Sequence, residues 1–244
     1  MNMVLPPAGI GFALAQSNLA GKIIVALLFA GSIFAWSLMV SKIRELREVK
    51  RWSDGFVKAF RQEAHPASLY LKRRRYDPSP LYLIYSRSCA FLGSALEAAG
   101  NPPDDLFMGE LGRETQRKIG RIEINGIRNI AERTMADQVL LLENHMGLLA
   151  TATTTAPFLG LLGTVWGVMD AFGGMAFTAN PMLSEVAPGI SGALLTTVVG
   201  LLVALPSAIG YNMLSDRIRR FCVEMDNFVQ ELMSELERQY LRQD

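Results

Sequence analysis

MGLLATATTTAPFLGLLGTVWGVM at residues 146–169 and VAPGISGALLTTVVGLLVALPSAIGYNMLS at residues 186–215 are runs of 24 and 30 residues without a charged side chain. Each exceeds the roughly 20 residues a helix needs to cross a bilayer. Both are polar for lipid-facing helices. The first carries Thr151, Thr153, Thr154, Thr155 and Thr164, and the second carries Ser191, Thr196, Thr197 and Ser207. Uncharged, threonine-bearing, glycine-rich spans predict helices that face other helices or a narrow lumen. A shorter apolar run, Ile23 to Val40, precedes them, with Trp36 as an interfacial aromatic and Lys22 placed to snorkel at its start. Nothing basic other than Lys22 stands before this run and no small-x-small cleavage site stands out, so it reads as a retained helix and not a signal peptide.

Half of the residues are hydrophobic, yet 19% are charged, which implies membrane spans joined to a substantial aqueous part. The basic residues fix the orientation. Lys22 stands alone before the first span, 18 Lys/Arg fall from Lys42 to Arg133, and five fall from Arg217 to Arg242. The loop between the second and third spans has none. Because cytoplasmic loops collect Lys and Arg, the N-terminus is expected outside and the central region inside. The second loop is then outside and the C-terminal tail inside. Three spans satisfy this pattern and an even number does not.

The expected class is therefore an all-α membrane protein, with three transmembrane helices extended into a cytoplasmic helical bundle. The divisions are a periplasmic N-terminus (1–21), a first transmembrane helix (22–41), a cytoplasmic helical region (42–145), a second transmembrane helix (146–172), a periplasmic loop (173–185), a third transmembrane helix (186–212) and a cytoplasmic C-terminal helix (213–244). Within the cytoplasmic region, Ile43, Leu46, Val49, Phe56 and Phe60 recur at helical spacing and continue the first span. Leu81 to Ala99 reads as a shorter helix. Gly100-Asn101-Pro102-Pro103 punctuates the chain, and Asp104 and Asp105 are placed to cap a helix beginning there. With no proline from Asp105 to Pro157, one continuous helix is expected to run to about Phe172, approaching ~100 Å at 1.5 Å per residue. Beyond the third span, Ile218, Phe221, Met225, Phe228, Leu232 and Leu236 form an apolar stripe, read as packing within the cytoplasmic bundle; the alternative is a docking face for another protein.

Cys89 and Cys222 both fall on the expected cytoplasmic side, which argues against a structural disulfide. His65 and His145 lack a Cys or carboxylate cluster at ligand spacing, so no metal site is expected, and no cofactor. The basic run Lys72-Arg73-Arg74-Arg75 reads as a solvated patch or a contact to anionic lipid headgroups; no aromatic stacking residues pair with it for nucleic acid. No phosphate-binding loop, nucleophile elbow or paired carboxylates appear, which excludes the common enzyme classes.

On a 100° wheel, Thr153, Pro157, Gly160, Thr164 and Gly167 share one side of the second span. Ile190, Ala193, Thr197, Ala204 and Ala208 share one side of the third. Each helix thus carries a mid-membrane hydroxyl on an otherwise small or apolar face. Such hydroxyls either bond back to their own helix carbonyls or face a lumen, and the wheel alone leaves both open. Gly163-x-x-x-Gly167 permits close helix approach. Neither span has Asp, Glu, Lys, Arg or His in its middle, whereas proton relays need an intramembrane ionisable group. If protons move here, the titrating carboxylate belongs to a partner.

APFLGLLGTVWGVM (156–169) and VAPGISGALLTTVVGLLVALPSAIGYN (186–212) closely resemble the TolQ/ExbB branch of the MotA/TolQ/ExbB proton-channel family. The resemblance covers both later spans and the three-span layout; the cytoplasmic middle is only loosely similar. It implies a homopentamer whose second and third spans line a pore around the helices of a dimeric, single-span TolR/ExbD-like partner. That partner carries the proton-accepting aspartate, and a TolA/TonB-like protein passes the work to an outer-membrane system. The family's two pore threonines match Thr164 and Thr197, and Pro157 and Pro206 fall where the family has helix-shaping prolines. Many members have a glutamate where this chain has Gly192, and Glu185 lies seven residues earlier, nearer the outer end. YNMLSDRIRRF and MDNFVQELMSELERQ in the tail resemble TolQ more than ExbB. TolQ-type work implies outer-membrane integrity and cell division; ExbB-type work implies energised uptake; a non-conducting membrane scaffold for cytoplasmic partners is the reading from another class.

Overall fold

The computed structural model describes residues 17–100, 118–175 and 183–241, together with Gly11 and Ala13. Among the described residues six helices succeed one another from residue 19 onward: α1 (Leu19–Gln62), α2 (Ser68–Leu71), α3 (Pro80–Ala98), α4 (Arg121–Glu143), α5 (Met146–Met175) and α6 (Leu183–Tyr240). No strand occurs among the described residues; a single parallel bridge joins Ile119 and Leu241. Among the described residues three helical stretches are long and apolar enough to cross a membrane: one in α1, one ending at Met175 and one in α6. The chain is thus an all-α, multi-pass membrane protein.

The chain forms two compact units, Met1–Lys42 with His145–Ser215, and Ile43–Asn144 with Asp216–Asp244. In the first, α5 and α6 run antiparallel, since Ala156 meets Gly200 while Gly167 meets Ala193. The first part of α1 packs on this pair through Ile24 and Leu28, which join Ala156 and Ala204 in a buried cluster. Large side chains point the other way: Phe34, Phe158, Val165, Leu194, Leu201 and Ile209 are all exposed. Contiguous exposed apolar surface of this kind belongs against lipid or another chain.

The second unit has an aqueous-type core. Phe56 is fully buried and meets Phe60, Tyr76, Tyr82, Tyr85 and Phe228 at ring-centroid distances of 5.4–6.2 Å. Edge-on and tilted arrangements dominate, as the aromatic quadrupole favours. α3 starts where sequence chemistry dictates: Ser79 accepts a hydrogen bond from the Tyr82 N–H at 3.2 Å, and Pro80 occupies the first turn. The stripe Ile218, Phe221, Met225, Phe228, Leu232 and Leu236 is buried along α6. Its outer neighbours make ion pairs, Lys50–Glu224 at 2.6 Å, Arg61–Glu231 at 2.8 Å and Arg128–Glu237 at 2.6 Å.

One expectation is corrected. The helix leading into the second span is not continuous: α4 ends at Glu143, and α5 begins at Met146. Asn144 leaves the helix with ψ 138°, its N–H donating to the Leu141 carbonyl, and His145 takes a left-handed φ of 66°. A single residue at positive φ suffices to end a helix and re-aim the chain. α5 itself runs to Met175. The capping role read for Asp104 and Asp105 lies outside the described residues.

Candidate functional site

The sequence and the structure converge on the middle of the α5–α6 pair. Gly160, Gly163 and Gly167 recur on one face of α5, and each is placed where a side chain would collide with α6. A Cβ on Gly160 would lie 2.9 Å from the Thr196 carbonyl oxygen and 3.0 Å from the Thr197 Cα. On Gly163 it would lie 2.8 Å from the Thr196 Cβ, and on Gly167 2.7 Å from the Ala193 Cβ. Gly200 answers from α6, where an added Cβ would be 2.7 Å from the Ala156 carbonyl oxygen. In lipid, apolar bulk gives helices no reason to associate, so close backbone approach through small residues is what joins them.

That approach brings three hydroxyls together. Thr164 and Thr197 contact each other through their Oγ1 atoms, and Thr196 Oγ1 is 3.5 Å from Thr164 Oγ1. All three also reach the Gly160 carbonyl oxygen: Thr164 at 3.1 Å, Thr196 at 2.9 Å and Thr197 at 3.1 Å. Thr196 and Thr164 additionally lie 2.7 and 3.3 Å from the Ala193 carbonyl oxygen. Each hydroxyl has one proton to donate and lone pairs to accept. Three donors thus share two carbonyls and one another, and several proton arrangements satisfy the cluster. It can orient water or an incoming polar group without changing its own charge.

The two sequence-predicted pore threonines are therefore neighbours, and half-buried. Their bonds run both ways: Thr164 bonds back to its own helix, while Thr197 crosses to the other. Thr151, Thr153 and Thr154 bond to carbonyls of their own helix. Pro157 and Pro206 sit inside α5 and α6, where each lacks the N–H that the helix would use. Gly192 is buried on α6, against the chain at Ser17. The Glu185 side chain lies outside the described residues.

Sequence reasoning missed Thr196 and Gly200. Thr196 is 0% exposed and is the most enclosed hydroxyl of the cluster. Both fall one helical turn apart on the part of α6 that α5 covers, which shows only once the two helices are laid together. Among the described residues no group of His, Cys, Asp or Glu could hold a metal. Cys89 and Cys222 are both free and belong to the second unit. Burial pushes the Cys89 thiol up to about 12 and raises the Tyr85 phenol far above its ordinary value.

Residues 100–227 match the family described as the MotA/TolQ/ExbB proton channel family. The chain is 27% identical to the Tol-Pal system protein TolQ of Haemophilus influenzae over 226 residues, which cover 92% of each chain. Identity to the TolQ of Pseudomonas aeruginosa is also 27%, over 228 residues, 92% of this chain and 91% of the relative. The biopolymer transport protein ExbB of Salmonella typhimurium is 32% identical over 181 residues, 71% of this chain and 70% of the relative.

Proposed function

Because this chain belongs to the MotA/TolQ/ExbB proton channel family, we propose that it is the ring-forming subunit of a proton-driven motor in the bacterial inner membrane. The N-terminus is periplasmic and the C-terminus cytoplasmic. Five copies enclose the single-span helices of a dimeric TolR/ExbD-like partner, whose aspartate takes and releases the proton. A TolA/TonB-like protein carries the work onward. Pro157 and Pro206 shape the two pore-side helices, the glycines join them, and Thr164 and Thr197 present hydroxyls to the partner's carboxyl.

The observation that carries this reading is the convergence of Thr164, Thr196 and Thr197 on the Gly160 carbonyl, in mid-span. A polar cluster without an ionisable member can guide a proton held by another group, and cannot store one itself. One proton crossing 100 mV supplies about 2.3 kcal/mol, so each work step uses several. The scaffold reading loses ground, because the apolar stripe of α6 is filled from within its own unit and offers no free docking face.

Two system-level readings remain. The TolQ-type role, envelope integrity and constriction at division, is supported by relatives aligned over 92% of the chain. The ExbB-type role, energising uptake, is favoured by the higher identity of 32% over the shorter aligned stretch. Purification of the complex from native membranes tests the assembly: five copies of this chain with two of a single-span, aspartate-bearing protein are expected. Recovery of the ring with no such protein under any condition overturns the reading. The identity of the co-purified periplasmic protein separates the two systems.

A further inference from the structure

In the second unit, α1 and α6 together bound a cleft of about 670 Å³. Six of its lining side chains are basic and two are acidic. Lys50 takes up both acids, reaching Asp54 at 2.9 Å and Glu224 at 2.6 Å. Arg47, Arg51 and Lys58 on α1, with Arg217 and Arg220 on α6, are left without a carboxylate partner among the described residues. Other cations of the unit are matched: Arg61 by Glu231, Arg128 by Glu237 and Lys72 by Glu63, while Arg74 lies over the Tyr76 ring. Five like charges around one cleft repel one another, and an anion placed among them offsets that repulsion.

The cleft is also open where the chain itself has no need of space. Gly55 lies inside α1, where glycine is disfavoured, and lines the cleft. A Cβ there would meet nothing within 4 Å, whereas close neighbours explain Gly160, Gly163 and Gly167. Packing within the chain gives no reason for this glycine; a molecule lying against the α1 backbone does. We propose that the cleft binds a phosphate-bearing anion, held against Gly55 by the guanidinium groups of Arg47, Arg51, Arg217 and Arg220. Planar guanidinium forks match phosphate oxygens two at a time. Two sources carry that chemistry, the headgroup of an anionic phospholipid and free phosphate. Placement favours the headgroup. Arg47 stands six residues past the first span as bounded at 41, and Arg217 five past the third as bounded at 212. That is roughly 7–9 Å of helix at 1.5 Å per residue. The polar layer of a bilayer is about 5–8 Å deep on each side of its hydrocarbon, and a long arginine side chain reaches across the difference. Basic pockets beside membrane spans hold such headgroups. The site depends neither on a ring nor on the direction in which the chain crosses the membrane.

The test titrates the full-length chain in uncharged detergent with short-chain phosphatidylglycerol, short-chain phosphatidylcholine and inorganic phosphate, reading each dissociation constant by calorimetry. Phosphatidylglycerol is expected to bind at least ten-fold more tightly than phosphatidylcholine. Arg217→Gln with Arg220→Gln is expected to weaken that binding at least ten-fold. Arg44→Gln with Arg219→Gln removes the same charge from exposed positions that do not line the cleft, and is expected to change binding less than two-fold. Gly55→Leu fills the cleft with every charge intact, and is expected to weaken binding at least ten-fold. Its side chain starts into open space, so the fold is left alone. Displacement of the lipid by millimolar phosphate assigns the cleft to a soluble anion; lipid that stays bound assigns it to a headgroup. Binding of neither anion, equal weakening by the two double variants, or full binding in Gly55→Leu overturns the site.

Discussion

α6 reads in opposite senses along its length. In its first half the residues that meet α5 are small, Ala193, Thr196 and Gly200, although Val186 and Leu195 are buried too, and Leu194, Leu201, Leu205 and Ile209 are exposed. After Asp216 the buried ones are large, Phe221, Met225, Phe228 and Leu232, and charged residues such as Arg220, Asp226 and Arg238 face outward. One helix therefore serves two solvents. In water, apolar bulk drives burial at about 25 cal/mol per Å². In lipid that drive vanishes, and what remains is backbone proximity and hydrogen bonding. The hydroxyl cluster sits where small residues bring the backbones of α5 and α6 together.

Substitutions that treat the two halves alike should expose the difference. Phe56→Ala removes the hub of the aromatic core, with an expected loss of about 3–5 kcal/mol. Limited proteolysis should show the second unit cut while the spans stay protected. A spared second unit would mean the aromatic cluster is ornamental. Gly160→Leu is next: overpacking costs about 1–3 kcal/mol or more, and here the obstacle is backbone. The variant should insert but fail to keep α5 against α6, seen as lost cross-linking between cysteines placed on the two helices. Leu201→Ala, a larger deletion on the exposed face, should leave that cross-linking intact.

Smaller effects arise from the second unit's electrostatics. Burial holds the Cys89 thiol neutral, pushed up to about 12. Its contribution to stability is complete below the ordinary thiol value of about 8.5 and declines as pH rises from there towards about 12. Cys89 should therefore resist alkylation at pH 8 in folded protein and react on denaturation; rapid reaction in the folded state would contradict its burial. The smallest effect is expected for Arg61→Gln. Arg61 pairs with Glu231 through two hydrogen bonds at 2.9 and 2.8 Å, yet its side chain is 62% exposed. Solvent screening limits such a pair to under about 1 kcal/mol, and any effect should shrink further in high salt.

Much of this is legible in the residues alone. The uncharged runs at 146–169 and 186–215 announce the spans, and Ile218 through Leu236 announce the continuation of α6 as an amphipathic helix. Thr164 and Thr197 stand out because each is a hydroxyl on a face of small groups. What escapes is set by contacts distant in sequence or by residues with weak local signals. The break at Asn144–His145 involves neither proline nor glycine, so a helical pattern reads straight through it. Thr196 is 100° from Thr197 on the wheel and looks like a different face until α5 is laid against both. The closeness of Gly192 to Ser17 joins residues some 175 positions apart in the chain, which no periodicity reports.

The central claim is that hydroxyls, and not merely the shapes that carry them, let this helix pair handle protons presented by a partner. Proton flux through vesicles containing the proposed ring and the proposed single-span partner, compared among Thr164→Ser, Thr164→Val, Thr197→Ser and Thr197→Val, tests it most directly. Serine at either position should retain most of the flux, and valine, nearly isosteric with threonine, should lower it at least ten-fold with assembly unchanged. Valine variants that conduct as well as the parent would show that the cluster joins helices and does nothing else.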